Sequence, residues 1–120
     1  MIWNLTIPGL PPTTNNAYAN GKHGRYLTHE AKIWKAGVGL AALCRHQEAP
    51  QGILRVTLTF SSPRWFAQSG KPRKADASNL EKLFVDAVFD ALHLEDSCIF
   101  ELVIKKAVGP ETSTILIESL

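Results

Sequence analysis

At 120 residues the chain has length for one buried core and not for two domains. Its 45% hydrophobic and 20% charged content is that of an ordinary globular protein. The net charge of +2 hides a division: residues 1–75 carry ten Lys/Arg against two Asp/Glu, and residues 76–120 carry three against nine. Such a split suggests a basic surface for a polyanion beside a separate acidic pocket, or two halves that neutralise each other across an ordinary surface. Cys44 and Cys98 sit in apolar contexts without CxxC or Cys/His spacing. That argues against a zinc site and reads as reduced, buried thiols. The first residues lack a basic n-region, and Pro8 breaks their apolar stretch, so no signal peptide is expected. No run approaches the ~20 apolar residues of a membrane span. A cytoplasmic, soluble protein without membrane contact is expected.

Trp3, Leu5 and Ile7 alternate with Asn4 and Thr6 and predict a half-buried strand ended by Pro8-Gly9. From Pro8 to Leu27 the chain is rich in Pro, Asn and Gly and reads as a long ordered loop. There Tyr18 and Tyr26 interleave with Lys22, His23 and Arg25, rings and cations suited to bases and phosphates or simply to packing and solvation. Thr28 is placed to cap a helix with Glu30 in its first turn and Arg45 and His46 in its last. Its apolar stripe is Ala31, Trp34, Val38, Ala41 and Ala42, widened by Ile33, Leu40 and Cys44. Gly37 and Gly39 suggest close backbone packing. After a turn at Pro50-Gln51-Gly52, Leu54, Val56, Leu58 and Phe60 alternate with Arg55, Thr57 and Thr59 in a strand expected at or next to the sheet centre.

Residues 61–75 hold Arg64, Lys71, Arg73 and Lys74 with Trp65 and Phe66 and no acid. This reads as a flexible basic arm over nucleic acid, with a solvated loop as the plain alternative. A second helix is expected from Ser78 or Asn79 to about Leu92. It is apolar on so much of its surface that the sheet and first helix, or a second subunit, must cover it. Phe100, Leu102 and Ile104, then Ile115 and Ile117, predict two strands joined near Gly109-Pro110. The class is α/β (α+β): a single domain over residues 1–120, with a mixed four-stranded sheet and two packed helices in the order βαβαββ.

Helical spacing puts Asn79, Lys82 and Asp86 on one face, Ser78 beside them, Asp90 a turn further and Asp76 before the helix start. Clustered carboxylates repel unless a cation neutralises them, and oxygen-only ligands favour Mg²⁺ or Mn²⁺. Such a metal activates water and stabilises charge on a cleaved phosphate, with Lys82 at the phosphate. The bland alternative is a helix cap and surface charges, the better reading for Asp90 and Glu95, with Lys82 and Asp86 an exposed pair worth ~0.3–0.5 kcal/mol.

Three segments resemble the RusA-type Holliday-junction resolvases. Pro11-Pro12-Thr-Thr-Asn15-Asn16-Ala-Tyr18 is similar to that family's Pro-Pro-x-x-Asn-x-x-Tyr. Lys74-Ala-Asp76-Ala-Ser78-Asn79-Leu80-Glu-Lys82 with Asp86 is similar to its Asp-x-Asp-Asn-Leu-x-Lys-x-x-x-Asp, and Leu94-Glu95-Asp96-Ser-Cys-Ile99 to its Asp-Asp-x-x-Val/Ile. The resemblance implies a homodimeric, Mg²⁺-dependent endonuclease (Mn²⁺ as substitute, no organic cofactor) that nicks two opposed strands of branched double-stranded DNA in recombination and repair. By position it makes Asp76, Asp86 and Asp96 metal ligands and Lys82 the catalytic lysine, with Asp76 and Asp96 also acting in catalysis. Asn79 orients the helix start or a ligand. Arg64, Lys71, Arg73, Lys74, Lys22 and Arg25 are the expected DNA contacts. Ser78 stands where the signature has its second aspartate, and Glu95 replaces the first acid of the final pair. A neutral hydroxyl there removes one charge from the site. The alternatives are therefore a non-catalytic junction-binding dimer of the same fold and, more distantly, a structural domain with solvent-facing acids.

Overall fold

The computed structural model describes residues 1–73 and 77–120, with the backbone alone at 14 and 15. Strict alternation makes β1 (Ile2–Pro8) and β4 (Leu54–Ser61) the cleanest strands, each with every second side chain buried. With β5 (Ile99–Ala107) and β6 (Thr112–Ser119) they form one mixed sheet in the order β1-β6-β4-β5. β6 runs antiparallel to both β1 and β4, while β4 and β5 are parallel. The expected mixed four-stranded sheet is present, with β4 interior as predicted.

Period-two side chains send Trp3, Leu5, Ile7, Leu54, Val56, Leu58, Phe60, Ile115 and Ile117 to one face, all buried in a single core. The other face is polar, with Thr6 and Thr114 hydroxyls 3.0 Å apart and Arg55 paired to Glu101 and Glu118. Two helices cover the apolar face: α2 (His29–Leu43) and α3 (Ser78–Leu92). Phe84 of α3 is fully buried, edge-on to Trp34 of α2 at 5.7 Å and tilted against Phe60 of β4 at 6.1 Å. These ring contacts lock the two helices to the sheet. Among the described residues no helix is long and apolar enough to cross a membrane.

The segment expected as one long loop is partly structured. It contains a short helical turn α1 (Thr14–Ala17) and an antiparallel hairpin, β2 (Tyr18–Gly21) and β3 (Gly24–Leu27). Thr28 is why the hairpin closes. Its backbone N–H donates to Ala17 O at 2.9 Å and its hydroxyl to Asn16 O at 2.9 Å. The same oxygen accepts from Ala31 N at 3.3 Å, capping α2 as predicted. Ala17, Ala31 and Leu83 then form a small buried cluster, flanked by Tyr18, Leu27 and Trp34, that seats the hairpin on both helices.

Other expectations change. Helix α2 ends at Leu43, so Arg45 and His46 lie beyond its last turn. Ile33 and Leu40 are exposed rather than widening the buried stripe, because only one side of α2 meets protein. Gly39 does face α3, since a Cβ added to it would lie 3.9 Å from Ala87 O, while one on Gly37 would meet open space. Cys44 is exposed and Cys98 half-buried, both free, which corrects the expectation of buried thiols.

Candidate active site

Helix α3 begins at Ser78, within the predicted boundary, and presents residues 81, 82, 85 and 86 along one flank. Its end is a left-handed residue, His93 (φ 56°, ψ 41°), after which Leu94 N–H reaches back to Phe89 O at 2.9 Å. This reversal leads through extended Glu95 into a single 3-10 turn, Asp96–Cys98. The turn returns the chain alongside α3, and Asp96 joins Glu81, Lys82 and Asp86 around a cleft of about 330 Å³. Val85, Ile99 and Leu102 supply its apolar wall.

A bulge makes that wall. Leu54 pairs with Ile99 but Arg55 with Glu101, so Phe100 is an extra residue in β5. Without it Ile99 and Leu102 would lie on opposite faces of the strand. With it both line the cleft, and Phe100 turns outward with 68% of its surface exposed.

The electrostatics of the cleft are those of crowded carboxylates. Burial raises Glu81 above its ordinary value; the Lys82 ammonium opposes this, and the charges of Asp86 and Asp96 add to it. Lys82 Nζ lies 3.6 Å from an Asp86 carboxylate oxygen, with both side chains partly exposed. The donors are oxygen-only, which suits a hard divalent cation. Among the described residues, however, no three His, Cys, Asp or Glu side chains form a metal-holding group by themselves.

The structure thus brings together Lys82, Asp86 and Asp96, three of the residues singled out from sequence. Asp76 and Lys74 lie outside the described residues. Ser78 and Asn79 occupy the exposed first turn of α3. Asp90 is set apart, ion-paired to Lys35 of α2 at 2.8 Å, and Glu95 is exposed, as expected of surface charges. The pair lines a larger groove of about 560 Å³ between the helices, whose walls are mainly apolar and which holds none of the acids of the cleft.

Arg64, Lys71 and Arg73 are exposed on the loop after β4. Up to Arg73 that loop is hydrogen-bonded rather than a loose arm. Ala67 N–H donates to Lys71 O at 2.8 Å and Arg73 N–H to Trp65 O at 2.8 Å. The buried Trp65 indole donates to Ala107 O at 2.8 Å. Lys22 lies in the hairpin turn and Arg25 on β3, with its guanidinium carbon 4.6 Å from the centre of the Tyr18 ring.

Sequence reasoning passed over Glu81, although it neighbours Lys82 and stands one turn from Val85 on the flank that meets the cleft. It also passed over Lys35 and the nearness of Tyr18 to the site. Tyr18 is raised above its usual value by burial and then by Asp86, with Lys82, Lys35 and Arg25 pulling the other way. The family model described as Endodeoxyribonuclease RusA matches residues 8–118, nearly the whole chain. No curated protein matches it.

Proposed function

The chain belongs to the RusA endodeoxyribonuclease family, and on that footing we propose that it is a divalent-metal-dependent nuclease resolving four-way DNA junctions. The observation that carries the reading is the single cleft in which Lys82 and Asp86 of α3 meet Asp96 of the following turn. Asp86 and Asp96, with Asp76, are the proposed holders of Mg²⁺, for which Mn²⁺ substitutes, and Glu81 adds a further carboxylate at the same cleft. The bound cation supplies Lewis acidity at the phosphoryl oxygens and a more acidic attacking water. Lys82 donates to the non-bridging oxygens of the scissile phosphate and offsets the charge there as water adds to phosphorus, while the bond to the leaving sugar oxygen breaks and that oxygen takes the electron pair. Val85, Ile99 and Leu102 exclude bulk water on one side, which strengthens each of these charge interactions. Arg64, Lys71, Arg73 and Lys74, with Lys22 and Arg25 of the hairpin, supply the salt-sensitive grip on the DNA backbone.

Paired nicks in opposed strands require two sites related by a two-fold axis, hence a homodimer acting in the cytoplasm. The open edge of β5, with Phe100, Leu102 and Val103 exposed, supports assembly of two copies, because such an edge invites pairing.

A second reading, junction binding without cutting, is favoured by Ser78 in the place of an acid. Labelled four-way junctions separate the two. Paired Mg²⁺-dependent nicks support the nuclease, and tight binding with intact strands in Mg²⁺ and in Mn²⁺ supports the binder.

A further inference from the structure

Resting on the nuclease reading above, we propose that Tyr18, Arg25 and Lys35 form a second phosphate subsite, which takes a phosphodiester adjoining the one held at Lys82 on the same DNA strand. Three separate elements converge to make it. Tyr18 opens β2, Arg25 lies on β3, and Lys35 projects from α2. Tyr18 pairs with Leu27 in the hairpin, so Arg25 is its diagonal neighbour on the same face. This register lays the guanidinium 4.6 Å above the ring. The hairpin cannot swing freely, because Ala17 and Leu27 at its base pack with Ala31 and Leu83 of the two helices. Arg25 is therefore held by its stacking with donors left for a ligand, and a planar fork of that kind matches phosphate oxygens.

The Tyr18 phenol lies in the joint field of Arg25, Lys35 and Lys82, with Asp86 acting against them. Lys35 in turn feels Asp90, Asp86 and Tyr18. Arg25, Lys35 and Lys82 thus share the surroundings of the Tyr18 phenol with Asp86, while Asp90 stands beyond Lys35. Lys35 is held by Asp90 at 2.8 Å, but that carboxylate is 66% exposed, so a phosphate can exchange with it at little cost. Lys82 and Asp86 belong both to this group and to the acidic cleft. Leu83, next to Lys82 on α3, packs with Ala17 and Tyr18 at the hairpin base, so the two phosphate positions adjoin and a strand crossing α3 meets both. A role confined to packing the hairpin would need the Tyr18 ring and not its hydroxyl, and would need neither cation.

The test is a binding cycle in metal-free buffer, using four-way junctions in which single phosphates flanking the branch point are replaced by uncharged methylphosphonates. Wild type is compared with Arg25→Ala, Lys35→Gln and Tyr18→Phe, each first shown to melt as the wild type does. Tyr18→Phe keeps the ring and removes only the hydroxyl. One methylphosphonate position is expected to weaken wild-type binding about tenfold and to cost the Arg25→Ala and Lys35→Gln variants nothing further, the sign of a direct pairing. On unmodified DNA each of those two variants should lower the slope of log affinity against log salt by about one. Losses that add at every position, or variants that bind like the wild type, overturn the subsite alone. A wild-type protein that does not bind junctions overturns it together with the nuclease reading.

Discussion

Lys82 Nζ stands 3.6 Å from the Asp86 carboxylate one turn further along α3, with 54% of the lysine side chain exposed. A pair so open to solvent contributes only about 0.3–0.5 kcal/mol. The lysine is thus free to leave Asp86 for a phosphate, and its value lies in position rather than stability. Lys82→Ala should barely change the urea midpoint. It should cut turnover on junction DNA by about a hundredfold or more, the cost of removing a preorganised donor to a developing charge. Junction affinity should fall only a few-fold, since a single phosphate contact is lost among several. An equal loss in affinity and turnover would assign Lys82 to binding instead.

Ser78 begins α3 on its exposed first turn. An acid there interacts well with the helix dipole, by about 0.3–1 kcal/mol, so Ser78→Asp should fold at least as well as the wild type. It also restores the carboxylate that the family signature carries. The expected result is faster Mg²⁺-dependent cutting with unchanged affinity for DNA; an unchanged cutting rate would remove Ser78 from the account of the site.

Glu81 carries the clearest pH dependence. Burial, with Asp86 and Asp96 adding to it, raises its folded value above the ~4.3 of an unfolded glutamate. The folded state therefore holds the proton more tightly, and ionised Glu81 costs stability that is absent below the unfolded pKa and complete above the folded one. In metal-free buffer Glu81→Gln should melt above the wild type at pH 7, and the two curves should converge as pH falls towards about 4. Added Mg²⁺ should raise the wild-type melting temperature more than that of the variant. Calorimetric scans across this range check both statements.

Phe84 joins α2, α3 and the sheet through Trp34 and Phe60 and is fully buried. Phe84→Ala should cost about 3–5 kcal/mol, a large part of the ~5–15 kcal/mol of a typical domain. Urea unfolding followed by tryptophan fluorescence measures it. A loss below about 1 kcal/mol would mean the core collapses around the gap far better than such cores do.

The elements legible in the sequence were those whose pattern reports their own burial. Leu54 to Phe60 alternates because one face of β4 is core, and the apolar residues from Leu80 to Leu92 mark a helix covered on several sides. The hairpin was not legible. Its strands are four residues each, too short to show a rhythm, and they are held by Thr28 and by docking on Leu83 rather than by their own propensity. The flanking glycines were the available sign. Gly24 has φ 107°, and a Cβ on Gly21 would lie 2.8 Å from the Tyr26 ring. In the site, helical spacing put Lys82 and Asp86 on one face, and the resemblance to the family signature singled them out. Glu81 did not, because its surroundings are set by the 3-10 turn that returns Asp96 to the helix, a contact no local pattern encodes. The exposure of Ile33, Leu40 and Cys44 likewise depends on α2 packing on one side only.

The central claim is that the acids of the α3 cleft carry metal-dependent cutting of junction DNA. It is tested most directly by mapping nicks on labelled four-way junctions in Mg²⁺ for the wild type beside Asp86→Asn. Paired nicks in two opposed strands are expected from the wild type, and the variant is expected to bind the junction with similar affinity but leave every strand intact. Intact junctions at high wild-type concentration in both Mg²⁺ and Mn²⁺, or undiminished cutting by Asp86→Asn, would contradict it.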